Sequence, residues 1–225
     1  MEPIRIFDFS DIFCIWAYVA QIRLDELKTT FQEKIQIEHH FVTVFGFARE
    51  KLENRWRDRG GLQAYSDHVQ EIVQKFSYVT VHPELWTKVK PASSTSCHLF
   101  LHAIKLLEKK ELVDPNHFIF DHAIRAFREA FFARLTDISD RSVQFELAES
   151  LGLPIAAIEA QINCGDAYAE LSKDLDLVKE YGVTVSPTLI FNEGRQRLLG
   201  NVGYRVMEAN IRELLHSAPG EASWC

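Results

Sequence analysis

Apolar and polar positions along the chain follow two different periods. "IRIFDF" (Ile4–Phe9) and "IQIEHHFVTV" (Ile35–Val44) are short runs rich in β-branched and aromatic residues, as strands are. Between them, Cys14 to Glu33 contains no Gly or Pro, and Trp16, Val19, Ala20, Leu24 and Leu27 recur at helical spacing. This predicts a strand–helix–strand unit whose two strands run parallel.

The middle of the chain reads as helices. "GGLQAYSDHVQEIVQKF" begins after a glycine pair, and "SSTSCHLFLHAIKLLEKKEL" offers a Ser/Thr cluster as N-cap with Pro115 as its stop. The apolar "NHFIFDHAIRAFREAFFARL" follows, then "SDRSVQFELAESLGL" and "PIAAIEAQI", the last with proline at its first position. Toward the C-terminus "DAYAELSKDLDLVKEYG" predicts a helix ended by Gly182. "VTVSPTLIFN" and "RQRLLG" then read as strands joined by a short turn, hence an antiparallel hairpin, before a last helix in "YRVMEANIRELLHSA". The tail "PGEASWC" is expected to fray. No fixed-period repeat is present.

The order βαβ, helical block, αββα predicts an α/β chain with a thioredoxin-like fold carrying a helical insertion domain. Residues 1–60 would form the first part of the thioredoxin-like domain, 61–163 the insertion and 164–225 the second part.

Composition narrows the function. At 225 residues, with 47% hydrophobic and 25% charged residues, the chain can bury a core without staples. A formal net charge of −7 without a Lys/Arg-rich run argues against nucleic acid as partner, and the apolar runs are too short to span a bilayer. "MEPIRIFDFSD" lacks a basic segment followed by an apolar one, so a cytoplasmic protein with reduced thiols is expected. Cys14, Cys97, Cys164 and Cys225 lie too far apart for a metal motif, and no metal is expected. His39 and His40 would point to opposite faces of a strand, which argues against joint metal binding.

Candidate chemistry centres on Cys14, at a helix start. Free amides and the helix dipole there favour a thiolate, so its pKa is expected to fall below the free value of about 8.5, with Asp11 opposing by like charge and Trp16 screening water. The alternative is an inert cysteine packed as a small hydrophobe. Cys97 and His98 begin the inserted helix after "SSTS", which would either face Cys14 or stand as a surface helix start with no ligand, and Cys164 reads as a loop residue. Arg49, Arg55, Arg57 and Arg59 read as a solvated helix face balanced by Glu50, Glu53 and Asp58. Phe118, Phe120, Phe127, Phe131 and Phe132 read as core or as the apolar wall of a groove.

The segment Ser10-Asp11-Ile12-Phe13-Cys14-Ile15-Trp16-Ala17-Tyr18 is similar to the "SDxxCPWCY" motif of the DsbA/FrnE-like branch of the thioredoxin superfamily. Val185-Ser186-Pro187-Thr188 resembles that family's "V-P-T" segment. Kappa-class glutathione transferases and 2-hydroxychromene-2-carboxylate isomerases are related to this branch. The resemblance implies a cis Pro187 facing the Cys14 thiol, with inserted helices roofing the groove. It also implies substrate contacts from Trp16, Ser186, Pro187 and Asn201, the last placed where glutathione-binding relatives carry a polar residue.

Ile15 and Ala17 depart from the motif, replacing its proline and its second cysteine. A C-x-x-C pair resolves its own mixed disulfide, whereas C-x-x-A needs an external thiol. Three readings follow: a thiol–disulfide oxidoreductase of the DsbA or disulfide-isomerase type using Cys14 alone, a glutathione-dependent transferase or isomerase of kappa-class type, and a non-catalytic binding protein. The expected partner is a small thiol or a disulfide-containing peptide. Nothing would be tightly bound as cofactor, with glutathione as a co-substrate. Oligomeric state is open, a homodimer included.

Overall fold

The computed structural model describes residues 2–113 and 118–216. Pro115, the "PGEASWC" tail and Cys225 lie outside them. Four strands, β1 (Ile4–Ser10), β2 (Ile35–Phe41), β3 (Thr188–Phe191) and β4 (Gln196–Leu199), form one sheet in the order β2-β1-β3-β4. β1 and β2 are parallel, joined by helix α1 (Ile15–Phe31); β3 is antiparallel to β1, and β4 to β3. β1 is central, so its apolar run is covered on both faces.

The register of β1 on β2 pairs Asp8 with His39 and Phe9 with His40, placing one histidine on each side of the sheet. On one side Ile6 packs with Leu24, Leu27 and Phe31 of α1 and with Met207 and Ile211 of the last helix, α9 (Tyr204–His216). On the other, Phe7, Phe9 and Ile190 pack with Val42 and Val183.

Between β2 and β3 run α2 (Ala48–Trp56), α3 (Gly61–Val73), α4 (Thr95–Lys109), α5 (Ile119–Phe132), α6 (Arg141–Ser150), α7 (Ile155–Asn163) and α8 (Asp166–Glu180). The chain thus has the α/β thioredoxin-like fold with a helical insertion. One apolar cluster runs from Phe13 and Cys14 into Leu101, Ile104, Phe127 and Phe131, so the start of α1 rests directly on the inserted helices. Phe120, Phe127, Phe131 and Phe132 are buried there, but Phe118 is 65% exposed and belongs to no core. Gly182, left-handed at φ +58°, turns the chain out of α8 toward residues 184–186. Among the described residues no helix is long and apolar enough to cross a membrane.

Candidate active site

Cys14 is the N-cap of α1, in extended backbone conformation, with the helix amides above it. Its thiol donates to the carbonyl oxygen of Ser186 at 3.3 Å. The Ser186–Pro187 peptide bond is cis. The Ser186 hydroxyl in turn accepts the Asp11 amide at 2.9 Å, so two hydrogen bonds lock the loop before β3 onto the entry to α1.

Asp11 holds this corner together from beneath. One carboxylate oxygen accepts the Phe13 amide at 2.9 Å; the other accepts the Phe45 amide at 2.8 Å and the Ser94 hydroxyl at 2.9 Å. Three segments distant in sequence therefore meet on one side chain. Ser94 stands at the N-cap of α4 but gives its hydroxyl to Asp11, and caps nothing with its side chain. Burial pushes the Asp11 carboxyl up to about 6, against the pull of those donors. His98 lies behind the same turn: its Nε2 accepts the Ile12 amide at 3.2 Å, and its ring stacks on Phe41 with centroids 4.5 Å apart. Burial and the neighbouring His102 push its pKa down to about 3, in keeping with a neutral ring that accepts.

The thiol itself departs from the sequence expectation. Cys14 is only 6% exposed, and burial raises its pKa above the ordinary value; Asp11 adds to the rise. Hydrogen bonds from Ser186 and from the Ala17 and Trp16 amides pull the other way and do not prevail. The helix start acts as expected, but desolvation outweighs it. The resting group is a thiol.

Cys14 opens onto a cleft of about 600 Å³ between the start of α1, helices α2 and α3, and residues 184–186. Trp16 and Ser186 line it, with Trp56 and Tyr65 as further aromatic walls. Tyr65 was not singled out by the sequence. Burial holds its phenol well above the usual range, and a Cys14 thiolate would raise it further. Arg128 is a second such residue, the buried one of two arginines in the phenylalanine-rich α5. It is buried beneath the site, donates to the Ser10 hydroxyl at 3.0 Å and to Gln21 Oε1 at 3.3 Å, and its charge reaches Asp8, Cys14 and Asp11.

The structure therefore brings Cys14, Trp16 and Ser186 to one cleft, with Pro187 adjoining through the cis bond. Asn201 is elsewhere. It lies before α9, accepts the Arg23 guanidinium, and does not line the cleft. Arg49, Arg55, Arg57 and Arg59 are exposed together with Glu50, Glu53 and Asp58, as a solvated face is. Arg49 binds the Lys90 carbonyl and Arg57 binds Asn54, and Arg55 and Arg59 also line the cleft together with Lys51. Cys97 is buried and donates to the Ile138 carbonyl at 2.9 Å, and burial drives its pKa well up; Cys164 is exposed. Among the described residues no group of three or more His, Cys, Asp or Glu side chains is placed to hold a metal ion.

Two further polar clusters brace β2. His39 lies between Asp8 and Asp121, each at 2.8 Å. Asp174 of α8 joins His40 at 2.7 Å, His102 at 2.9 Å and the Phe41 amide at 2.6 Å. The second cluster ties α4 and α8 to the sheet.

The chain matches the DSBA-like thioredoxin domain over residues 5–212. The ClpXP adapter protein SpxH of Bacillus subtilis (strain 168) is 28% identical over 102 residues, covering 43% of this chain and 34% of that protein. The chain thus spans about a third of that relative's length. A probable DsbA oxidoreductase from Streptomyces coelicolor is similar in structure, with a TM-score of 0.73, 19% identity, and coverage of 98% of this chain and 94% of that one. The cytosolic disulfide reductase DsbM from Pseudomonas aeruginosa, also solved with GSH, superposes with a TM-score of 0.66 at 19% identity, covering 93% and 99%. At such identities the two structures attest the fold.

Proposed function

The chain belongs to the DsbA-like thioredoxin domain family, and from that premise we propose that it is a thiol–disulfide oxidoreductase working through the single thiol of Cys14. The observation that carries the reading is the Cys14 thiol, at a helix N-terminus, bonded to the residue before the cis proline and opening onto a cleft.

In this reading Cys14 loses its proton when a disulfide is seated. The Trp16 and Ala17 amides and the Ser186 side chain then stabilise the thiolate. The thiolate attacks one sulfur of the disulfide, a new S–S bond joins that sulfur to Cys14, and the other sulfur leaves with the electron pair and takes up a proton. Ala17 offers no thiol for the return step, so a second, external thiol attacks the mixed disulfide and restores Cys14. Glutathione fits that co-substrate role, and a reducing cytoplasm would supply it. The partner is then a small thiol or a disulfide-containing peptide.

One observation favours a second reading. The burial that keeps Cys14 protonated suits a glutathione-dependent transferase or isomerase, in which the site orients an external thiol and Cys14 does not turn over. A hydroxyethyl-disulfide assay with glutathione, run on the wild type and on Cys14→Ser, separates the two. The single-thiol reading expects turnover that the variant abolishes. Turnover unaffected by the substitution would overturn it.

A further inference from the structure

The cleft beside Cys14 carries cations and no acids. Of the residues lining it, Lys51, Arg55 and Arg59 are basic and none is Asp or Glu, in a protein of net charge −7. Lys51 and Arg55 stand at i and i+4 on α2, the spacing that puts two side chains on one helix face, and Arg59 closes the 3-10 turn Arg57–Arg59 that follows; Arg55 and Arg59 are exposed and Lys51 is half-buried. Glu50, Glu53 and Asp58, from the same stretch, do not line the cleft. Among the described residues none of the three cations lies within 4.0 Å of a carboxylate.

Two of the three make a contact that fixes them. Lys51 donates to the Val44 carbonyl at 2.6 Å, and the Arg59 guanidinium sits 5.9 Å from the Trp56 ring centre. Arg55 lines the cleft together with Tyr65 and Cys14. The three cations therefore border the same cavity that holds the thiol.

Resting on the single-thiol reading above, we infer that Lys51, Arg55 and Arg59 select an extended acidic peptide as the disulfide-bearing substrate. The spacing supports a peptide rather than one isolated anion. Lys51 and Arg55 are separated by roughly 6 Å along the axis of α2, close to the roughly 6.6 Å between alternate side chains of an extended chain, and Arg59 carries the positive charge on past the end of the helix. Carboxylates at alternate positions beside a cysteine would meet Lys51 and Arg55 in register while the cysteine reaches Cys14. The aromatic walls of Trp16, Trp56 and Tyr65 would cover the backbone between them.

The test uses three peptides of one length, each with a cysteine disulfide-bonded to a small neutral thiol. Alternate flanking positions carry Glu, Gln or Lys. Attack by Cys14 on the peptide sulfur joins peptide to protein, and the small thiol leaves with the electron pair and a proton, so atoms and electrons balance. The rate of adduct formation at Cys14 is followed by mass spectrometry. The wild type should react about tenfold faster with the Glu peptide than with the Lys peptide at low salt, the gap closing as salt rises. In Arg55→Glu/Arg59→Glu the order should reverse; if that double variant does not fold, Arg55→Gln should lower the Glu:Lys ratio.

Equal rates for the three peptides on the wild type would overturn the inference. So would a fast reaction with glutathione disulfide beside a flat peptide series, which would mark a small-molecule site. Should Cys14 react with no disulfide, the single-thiol reading fails, and the charge selection is read separately. Peptides with Ser for Cys would then be titrated against tryptophan fluorescence. Tighter binding of the Glu form would sustain the selection, and indifference to charge would refute it.

Discussion

The Cys14 thiol donates to the Ser186 carbonyl at 3.3 Å, and the Ser186 hydroxyl accepts the Asp11 amide at 2.9 Å. One serine thus sets both the thiol and the turn that presents it. Ser186→Ala should strand the buried Asp11 amide and cost about 1–2 kcal/mol of stability, measured by urea unfolding. It should also move Cys14 titration further upward, because the serine side chain favours the thiolate.

Asp11 acts on the same thiol through charge. Its carboxyl, pushed up to about 6 by burial, is ionised at neutral pH and above, where it disfavours a neighbouring thiolate. Iodoacetamide labelling mapped to Cys14 should therefore inflect above the ordinary cysteine value in the wild type. Asp11→Asn should bring that inflection down. An unchanged or higher inflection in the variant would show that burial alone sets the thiol.

Ala17 is the residue that decides the class of chemistry. Its amide favours the Cys14 thiolate, and its side chain is buried at 3% exposure in the first turn of α1. Ala17→Cys should pair with Cys14 in an internal disulfide, at a packing cost of about 1 kcal/mol. It should also raise insulin reduction with a thiol reductant about tenfold or more, since an internal thiol replaces a bimolecular step.

Much of this arrangement was legible in the sequence. The strand and helix periods, the parallel β1–β2 unit, the β3–β4 hairpin and the insertion all match the observed topology. Local patterns speak for neighbours in the chain. What they miss is packing between distant segments. The helix-start argument for an acidic Cys14 was sound in itself, but the desolvation that overrides it comes from the packing of residues 184–186, α2 and α3 around the site. Asp11 looked like a nearby charge, whereas its role as acceptor for Phe45 and Ser94 depends on loops 34 and 83 residues away. The positions of Lys51, Arg55 and Arg59 were present to be read, but not that all three border the cleft, nor that α2 ends before Arg59. Asn201 matched a position in related proteins, yet here it accepts from Arg23 of α1 and does not line the cleft.

The ion cluster under β1 predicts a pH signature of stability. Burial alone would depress His39, but its bonds to Asp121 and Asp8 outweigh that and raise its pKa. His39 therefore stabilises the fold fully below its unfolded value of about 6.5, and that contribution is lost as pH rises through the raised folded value. Asp8 and Asp121 are held low against burial by His39, so their contribution fades only as pH falls below the usual carboxylate range. His39→Gln should cost about 3 kcal/mol near pH 6 and less at pH 9. Thermal melts across that range should slope downward for the wild type and lie flatter for the variant.

The central claim is that Cys14 alone forms a covalent intermediate with a disulfide. Incubating the protein with a small neutral disulfide, quenching with acid and mapping adducts by mass spectrometry tests it most directly. The predicted result is a mixed disulfide at Cys14 that persists until an external thiol is added and is then released to free thiol. Adducts confined to other cysteines, with Cys14 unmodified at any pH that preserves the fold, would contradict it.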